Sequence, residues 1–185
     1  MKKPLVIGLV GPTAIGKTHL AIQVAQHFGT SIISADSRQM FQHFNIGTAK
    51  PTSEERTAAE HLFVDFLHPS QEYSAGQFER DILDLISKDS RPIWVLAGGS
   101  GMYVKAMIHG FDPLPHDSNI RHQLNKTFES QGLNPIRVQL ESMDPEYCKR
   151  ADMNNPQRMI RALEVCLASG QPYSQLRKEN IKERP

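Results

Sequence analysis

Up to about residue 108, short apolar runs alternate with amphipathic stretches. Leu5–Val10 (LVIGLV) is short, apolar and partly β-branched, which predicts a buried strand. Leu20, Ala21, Val24, Ala25 and Phe28 then recur at helical spacing, and Gly29 suits the position just past a helix C-terminus. Ser31–Ala35 predicts a second strand, running into Asp36. Thr52 with Glu55 has the spacing of a capping box, and His61–Leu67 reads as a further strand. Ser74 with Gln77 repeats the capping signal ahead of Phe78, Ile82, Leu85 and Ile86, one face of a helix. Pro92–Ala97 is the third clearly buried strand; it runs into Gly98-Gly99-Ser100-Gly101 and a helix to about Ile108. Strand, turn and helix in this rhythm imply a parallel sheet flanked by helices.

From about Phe111 the strands stop. Asn134-Pro135, Asp144-Pro145 and Asn155-Pro156 each pair a capping side chain with a proline suited to a first helical turn. The expected fold class is therefore α/β, with a small helical insertion module. The expected organisation is a core over 1–112, a helical insertion over 113–168, and a return toward the core over 169–185.

Length and composition narrow this little. The chain has 185 residues, 39% hydrophobic and 22% charged, enough for a sizeable core. Its apolar runs are too short to span a bilayer, and Met1-Lys2-Lys3-Pro4 opens no secretory signal, so no membrane association is expected. Cys148 and Cys166 form no disulfide framework and no zinc spacing, which suits a reducing, cytoplasmic compartment. The net charge of +1 is unevenly spread: residues 121–185 carry eleven Lys/Arg against eight acids, and 61–120 four against eight. That gradient fits a polyanion contact toward the C-terminus, or simply a solvated charged face.

The sharpest chemical signal is Gly11-Pro12-Thr13-Ala14-Ile15-Gly16-Lys17-Thr18, a full match to G-x-x-x-x-G-K-[ST] between a strand and a helix. In such a P-loop the backbone N–H groups and the helix N-terminus surround phosphate oxygens. Lys17 would neutralise terminal phosphates, and the Thr18 hydroxyl would ligate Mg²⁺. P-loop enzymes that transfer phosphoryl groups commonly carry an acid at the end of a second strand. The strand before Gly98 has none there; the acid is Asp36, after a neighbouring strand. In a doubly wound sheet it would face the bound phosphates across the crevice, as proton acceptor or indirect metal partner. Position alone fits a capping or buried aspartate equally well.

Taken together, Gly11–Thr18 (GPTAIGKT), Ser34–Gln39 (SADSRQ), Ile46–Lys50 (IGTAK), Gly98–Tyr103 (GGSGMY) and Asn155–Val165 (NPQRMIRALEV) resemble the tRNA dimethylallyltransferases in order and spacing. The resemblance implies a P-loop NTPase-like fold and transfer of a dimethylallyl group from dimethylallyl diphosphate to N6 of the adenosine 3′ of the anticodon. The P-loop residues, Gly11 through Thr18, would then hold the donor's diphosphate rather than an NTP undergoing hydrolysis. The resemblance makes Asp36 the general base and sets Lys17 and Ser100 beside the reacting groups, Ser100 standing where the family more often has threonine. It also implies that Asp36, Ser37, Arg38, Gln39, Ser100, Arg121 and the run Gln157-Arg158-Met159-Ile160-Arg161 meet the tRNA anticodon stem-loop. A monomer using Mg²⁺ as cofactor is expected.

Bare spacing gives a plainer reading of the last motif. Met159, Ile160, Leu163, Cys166 and Leu167 form an apolar stripe suited to a core, and the arginines fit a solvated face. Phe41, Phe44 and Tyr103 are expected to pack, and the histidines show no metal-ligand spacing. Two features depart from the family: Ile15 replaces a usually small P-loop residue, and members continue well beyond Pro185, so a piece of a longer protein is expected. The rival activities are dimethylallyl transfer to free AMP, ADP or ATP, phosphoryl transfer by a small-molecule P-loop kinase, and non-catalytic binding.

Overall fold

The structure, a computed structural model, describes residues 3–178, which fall into two compact units divided between Gly110 and Phe111. The first contains β1 (Leu5–Val10), α1 (Lys17–Phe28), β2 (Ile32–Ser34), α2 (Ser53–Ala58), β3 (His61–Leu62), α3 (Ala75–Lys88), β4 (Ile93–Gly98) and α4 (Gly101–Ile108). Its four strands are parallel, in the order β1-β4-β2-β3. Ile32 and Val95 are register partners and share a buried cluster with Ala21, Ile22 and Ala25 of α1. Alternation along the strands turns Ile33, Trp94 and Leu96 to the other face, where they are equally buried. There α3 and α4 pack on each other, with the rings of Phe78 and Tyr103 4.8 Å apart.

Both capping boxes form in full, Thr52 with Glu55 on α2 and Ser74 with Gln77 on α3. Other details differ from the pattern-based expectation. β1 lies at the edge of the sheet, and Leu5 and Val10 are 57% and 56% exposed, so it is a half-covered strand rather than a buried one. α1 buries Ala21, Ile22 and Ala25 and leaves Leu20 and Phe28 exposed, a rotation of the expected face. The strand expected over His61–Leu67 ends at Leu62, because Phe63 and Asp65 take positive φ and turn the chain away.

The second unit is helical: α5 (Ser118–Gln131), α6 (Asn134–Met143), α7 (Pro145–Cys148), α8 (Pro156–Ser169) and α9 (Tyr173–Leu176). Met159, Ile160, Leu163 and Cys166 of α8 pack with Leu124 of α5 and with Ile136 and Leu140 of α6. Burying such side chains stabilises by about 1.5–3 kcal/mol each. Asp144 and Asn155 cap α7 and α8 through their side chains, whereas α6 is capped at Leu133, leaving Asn134 inside the first turn. Of the stretch over which a return toward the core is expected, 169–185, the described part belongs to the helical unit. α9 stays with the helical unit, Tyr173 stacking edge-on against Tyr147 and Ser174 bonding to Asp144. Residues 179–185 lie outside the described residues. No described helix is long and apolar enough to cross a membrane.

Candidate functional site

The strand order decides which chain segments meet. β4 is central, β1 and β2 flank it, and the carboxyl ends of all three lie side by side. The P-loop leaves β1, Asp36 follows β2, and Gly98-Gly99 ends β4 between them. A Cβ on Gly98 would sit 2.2 Å from the Ala35 carbonyl oxygen, and one on Gly99 3.2 Å from that of Gly11. Glycine here lets the segments on either side approach, and a crevice opens above the sheet.

Within the P-loop, Ala14 and Gly16 both take positive φ (68° and 88°). Gly16 is the N-cap of α1 and offers no side chain, so the amides of the first turn keep no side-chain acceptor. That arrangement, with the positive end of α1, suits an anion. The Lys17 ammonium bends back onto the Pro12 carbonyl, across the mouth of the loop.

A cavity of about 340 Å³ opens beside these amides, lined among others by Gly16, Lys17, Thr18, Asp36, Lys50 and His61. A second of about 270 Å³ is lined by Thr13, Asp36, Ser37, Arg38, Gly47, Thr48, Gly99 and Ser100. Asp36, Thr13 and Gly99 belong to both. Asp36 Oδ1 accepts from the Arg38 N–H at 2.9 Å, a local turn that fixes the carboxylate at the end of β2. Ser100 Oγ accepts from the Ser37 N–H at 3.0 Å, tying the start of α4 to this turn.

Gln39 has its side chain engaged at both ends. Its Oε1 accepts from Ser34 Oγ at 2.9 Å, and its Nε2 donates to the carbonyls of Thr48 and Ala49. It holds the 46–50 segment against β2 instead of reaching outward. Arg38 is exposed at the rim of the second cavity. Tyr103 packs as expected, while Phe44 is exposed.

Among the residues of the first cavity to which the sequence assigns no individual role are Lys50, Glu55 and His61. His61 arrives because β3 pairs with β2, Ile32 opposite His61. Burial lowers its pKa, and Nδ1 lies 2.8 Å from the Ala59 carbonyl, so a neutral ring forms this wall. Lys50, its side chain 4% exposed, is held by Asp65, the Phe41 carbonyl and Asn45. Asp65 also receives Arg56. This knot ties the 41–50 segment to the turn after β3 and so holds one side of the cavity.

Burial would push the Asp65 carboxyl up, but hydrogen bonds and charge from Lys50 and Arg56 outweigh it and hold it below the usual range. A depressed folded pKa means stability fully present above the unfolded value near ~3.9 and lost as pH falls through the folded one. Asp65→Asn should therefore destabilise the protein by about 2–3 kcal/mol at neutral pH, since Lys50 is left buried without its counter-charge, held only by the Phe41 carbonyl and Asn45. Thermal melts from pH 7 to pH 3 should show the variant and parent converging toward the acid end.

In the helical unit, Gln157 and Arg158 are exposed on α8. Met159 and Ile160, expected at an RNA surface, are instead fully buried in that unit's core, because consecutive helical positions cannot all face outward. Arg121 and Arg161 are half-buried and ion-paired to Glu164, at 2.9 and 3.1 Å. Cys148 and Cys166 are free thiols, and the described residues contain no cluster of three or more His, Cys, Asp or Glu able to hold a metal by themselves.

The comparisons with known proteins converge. The family model for IPP transferase matches residues 39–185. The tRNA dimethylallyltransferase of Christiangramia forsetii is 45% identical over 181 residues, covering 96% of this chain and 60% of the relative. The tRNA dimethylallyltransferase 1 of Phocaeicola vulgatus is 42% identical, covering 97% and 61%. Among solved structures, the full-length tRNA isopentenylpyrophosphate transferase of Bacillus halodurans superposes with a TM-score of 0.57 at 36% identity, over 93% of this chain and 58% of its own. A eukaryotic dimethylallyltransferase acting on tRNA gives a TM-score of 0.77 at 25% identity, over 98% and 46%. The chain thus spans about 60% of the length of the curated relatives it matches. With the family model covering well over half of its residues, the chain belongs to the IPP transferase family.

Proposed function

We propose that this chain carries the donor site and general base for transferring a dimethylallyl group from dimethylallyl diphosphate to N6 of the adenosine 3′ of a tRNA anticodon. The single observation that supports it best is that Asp36 lines two adjoining cavities, one beside the P-loop amides and one beside Ser37 and Ser100. In this reading the diphosphate lies against the first turn of α1 and Lys17, and the purine enters the second cavity. The allylic C–O bond breaks with its electron pair leaving on diphosphate, the N6–C bond forms, and the N6 proton passes to Asp36. Lys17 and the loop amides stabilise the charge growing on the leaving group.

The residues present also fit a Mg²⁺ site of the kind that family chemistry uses. Thr18 lines the cavity with Asp36 nearby, and no larger protein ligand cluster exists among the described residues. Mg²⁺ binds through few protein oxygens, substrate phosphates and water, and that sparse set suits it. Its contribution would be charge neutralisation on the diphosphate. The reading takes the protein as a monomer, and a tRNA substrate implies a cytoplasmic setting.

Extruding a stacked base costs a few kcal/mol, which phosphate contacts on a basic surface can offset. Arg38 at the rim and Gln157, Arg158, Arg121 and Arg161 of the helical unit are the side chains proposed to make them. Mass analysis of an anticodon stem-loop after incubation with the protein, dimethylallyl diphosphate and Mg²⁺ tests the reading. The expected result is a single dimethylallyl addition on the adenosine 3′ of the anticodon. Prenylation of free AMP with none on the RNA, or label transferred from γ-labelled ATP, would overturn it.

A further inference from the structure

Among the buried carboxylates of the described residues that the proposed reaction leaves unused, Glu164 is the most fully buried. Glu164 of α8 is 0% exposed, yet it is a carboxylate, met by His116, Arg121 and Arg161. Its Oε1 accepts from the Asp117 N–H at 3.1 Å and lies 2.6 Å from His116 Nδ1. Its Oε2 takes Arg121 Nη1 at 2.9 Å and lies 3.1 Å from Arg161 Nη1. Arg161 also donates to the Pro115 carbonyl at 3.0 Å. One carboxylate thereby joins three pieces of chain: the 114–117 segment, the start of α5, and α8. Burial alone would raise its pKa, but the bonds from Arg121, His116 and Arg161 prevail and keep it low.

The cluster is not closed on itself. Arg121 and Arg161 keep about a third of their side chains in solvent, at 34% and 32%. Nε and Nη2 of Arg121 make no hydrogen bond to the described residues. A guanidinium offers five donors in a fixed fork, so one edge can be held by a carboxylate while another meets a phosphate. A long arginine free in water would lose much rotamer freedom on binding; one already held loses little.

We infer that Glu164 is a positioning residue which holds Arg121 and Arg161 in place to meet the phosphate backbone of an RNA. This rests on reading the helical unit as an RNA-facing surface. It makes a prediction opposite in sign to simple charge counting. Glu164→Gln removes a negative charge beside the surface, so a purely electrostatic effect would tighten RNA binding. If positioning dominates, affinity for an anticodon stem-loop falls about tenfold.

The measurement is fluorescence anisotropy of a labelled anticodon stem-loop across a salt series, with thermal melts of each variant in parallel. Glu164→Gln that remains folded and binds as tightly as the parent, or more tightly, overturns the inference even if its melting temperature drops, since a merely architectural role shifts stability alone. Should that variant not fold, Arg161→Lys decides the matter. It keeps the charge but loses the fork and the Pro115 contact, so affinity should fall several-fold with the salt slope unchanged; parental affinity overturns the inference. A parent chain that binds no stem-loop would bring down the RNA reading itself, a result distinct from either of these.

Discussion

Asp36→Asn should lower prenyl transfer to an anticodon stem-loop by about 10²- to 10⁴-fold, the usual contribution of a positioned general base. The fold around position 36 should survive. The Asp36 Oδ1 atom accepts the Arg38 N–H at 2.9 Å, and an asparagine carbonyl oxygen can accept the same bond. The amide that replaces the other oxygen cannot take a proton from N6. Donor binding should be unchanged or slightly tighter, because a negative charge bordering the P-loop cavity, the proposed diphosphate site, has been removed. The loss should therefore appear in kcat, with KM for dimethylallyl diphosphate preserved and the melting temperature within a degree or two. Single-turnover transfer of labelled prenyl groups separates the chemical step from product release. Turnover within about threefold of the parent would show that another group, or water, accepts the proton.

The site was partly legible in the sequence, and the division has a physical cause. The P-loop and the two capping boxes are local codes: a backbone turn, a hydroxyl and a carboxyl or amide three residues apart, each complete within a few residues. Asp36 was legible as a strand-end acid because β2 is short and buried. The places of His61 and Lys50 in the cavity were not, since His61 arrives through β3 pairing with β2 and Lys50 is fixed by its contact with Asp65, both long-range. The edge position of β1 is likewise invisible locally: Leu5–Val10 is as apolar as β4, and only the pairing partners decide which of them is central. The motif at 155–165 misled in a different way. A run of consecutive helical residues covers every direction around the axis, so a stretch containing Arg158 and Arg161 must also contain inward-facing Met159 and Ile160. Periodicity, which marked those two as core, was the better guide to their side chains.

The same central strand carries the largest structural effect expected of any single methyl group in the first unit. A Cβ added at Gly98 would stand 2.2 Å from the oxygen and 2.4 Å from the carbonyl carbon of Ala35. Those are backbone atoms, and they are pinned: the Ala35 N–H donates to the Ala97 carbonyl at 2.8 Å, and the Ala35 carbonyl accepts from the Ser100 N–H at 3.2 Å. Nothing flexible can swing aside, so β2 must move off β4, straining both bonds. Gly98→Ala should cost on the order of 3 kcal/mol, the upper part of the range for overpacking, and lower the melting temperature by roughly 6–12 °C. Because Asp36 is the next residue after Ala35, the same displacement would carry the proposed base away from the P-loop. Turnover should then fall more than tenfold even at temperatures where the variant is fully folded. Gly101→Ala is the matching control. It lies in the first turn of α4, and its Cβ would meet nothing within 4 Å, so stability should be unchanged or rise by up to about 1 kcal/mol. If both variants melt like the parent, the close approach of Ala35 to Gly98 is not what sets the spacing of the crevice.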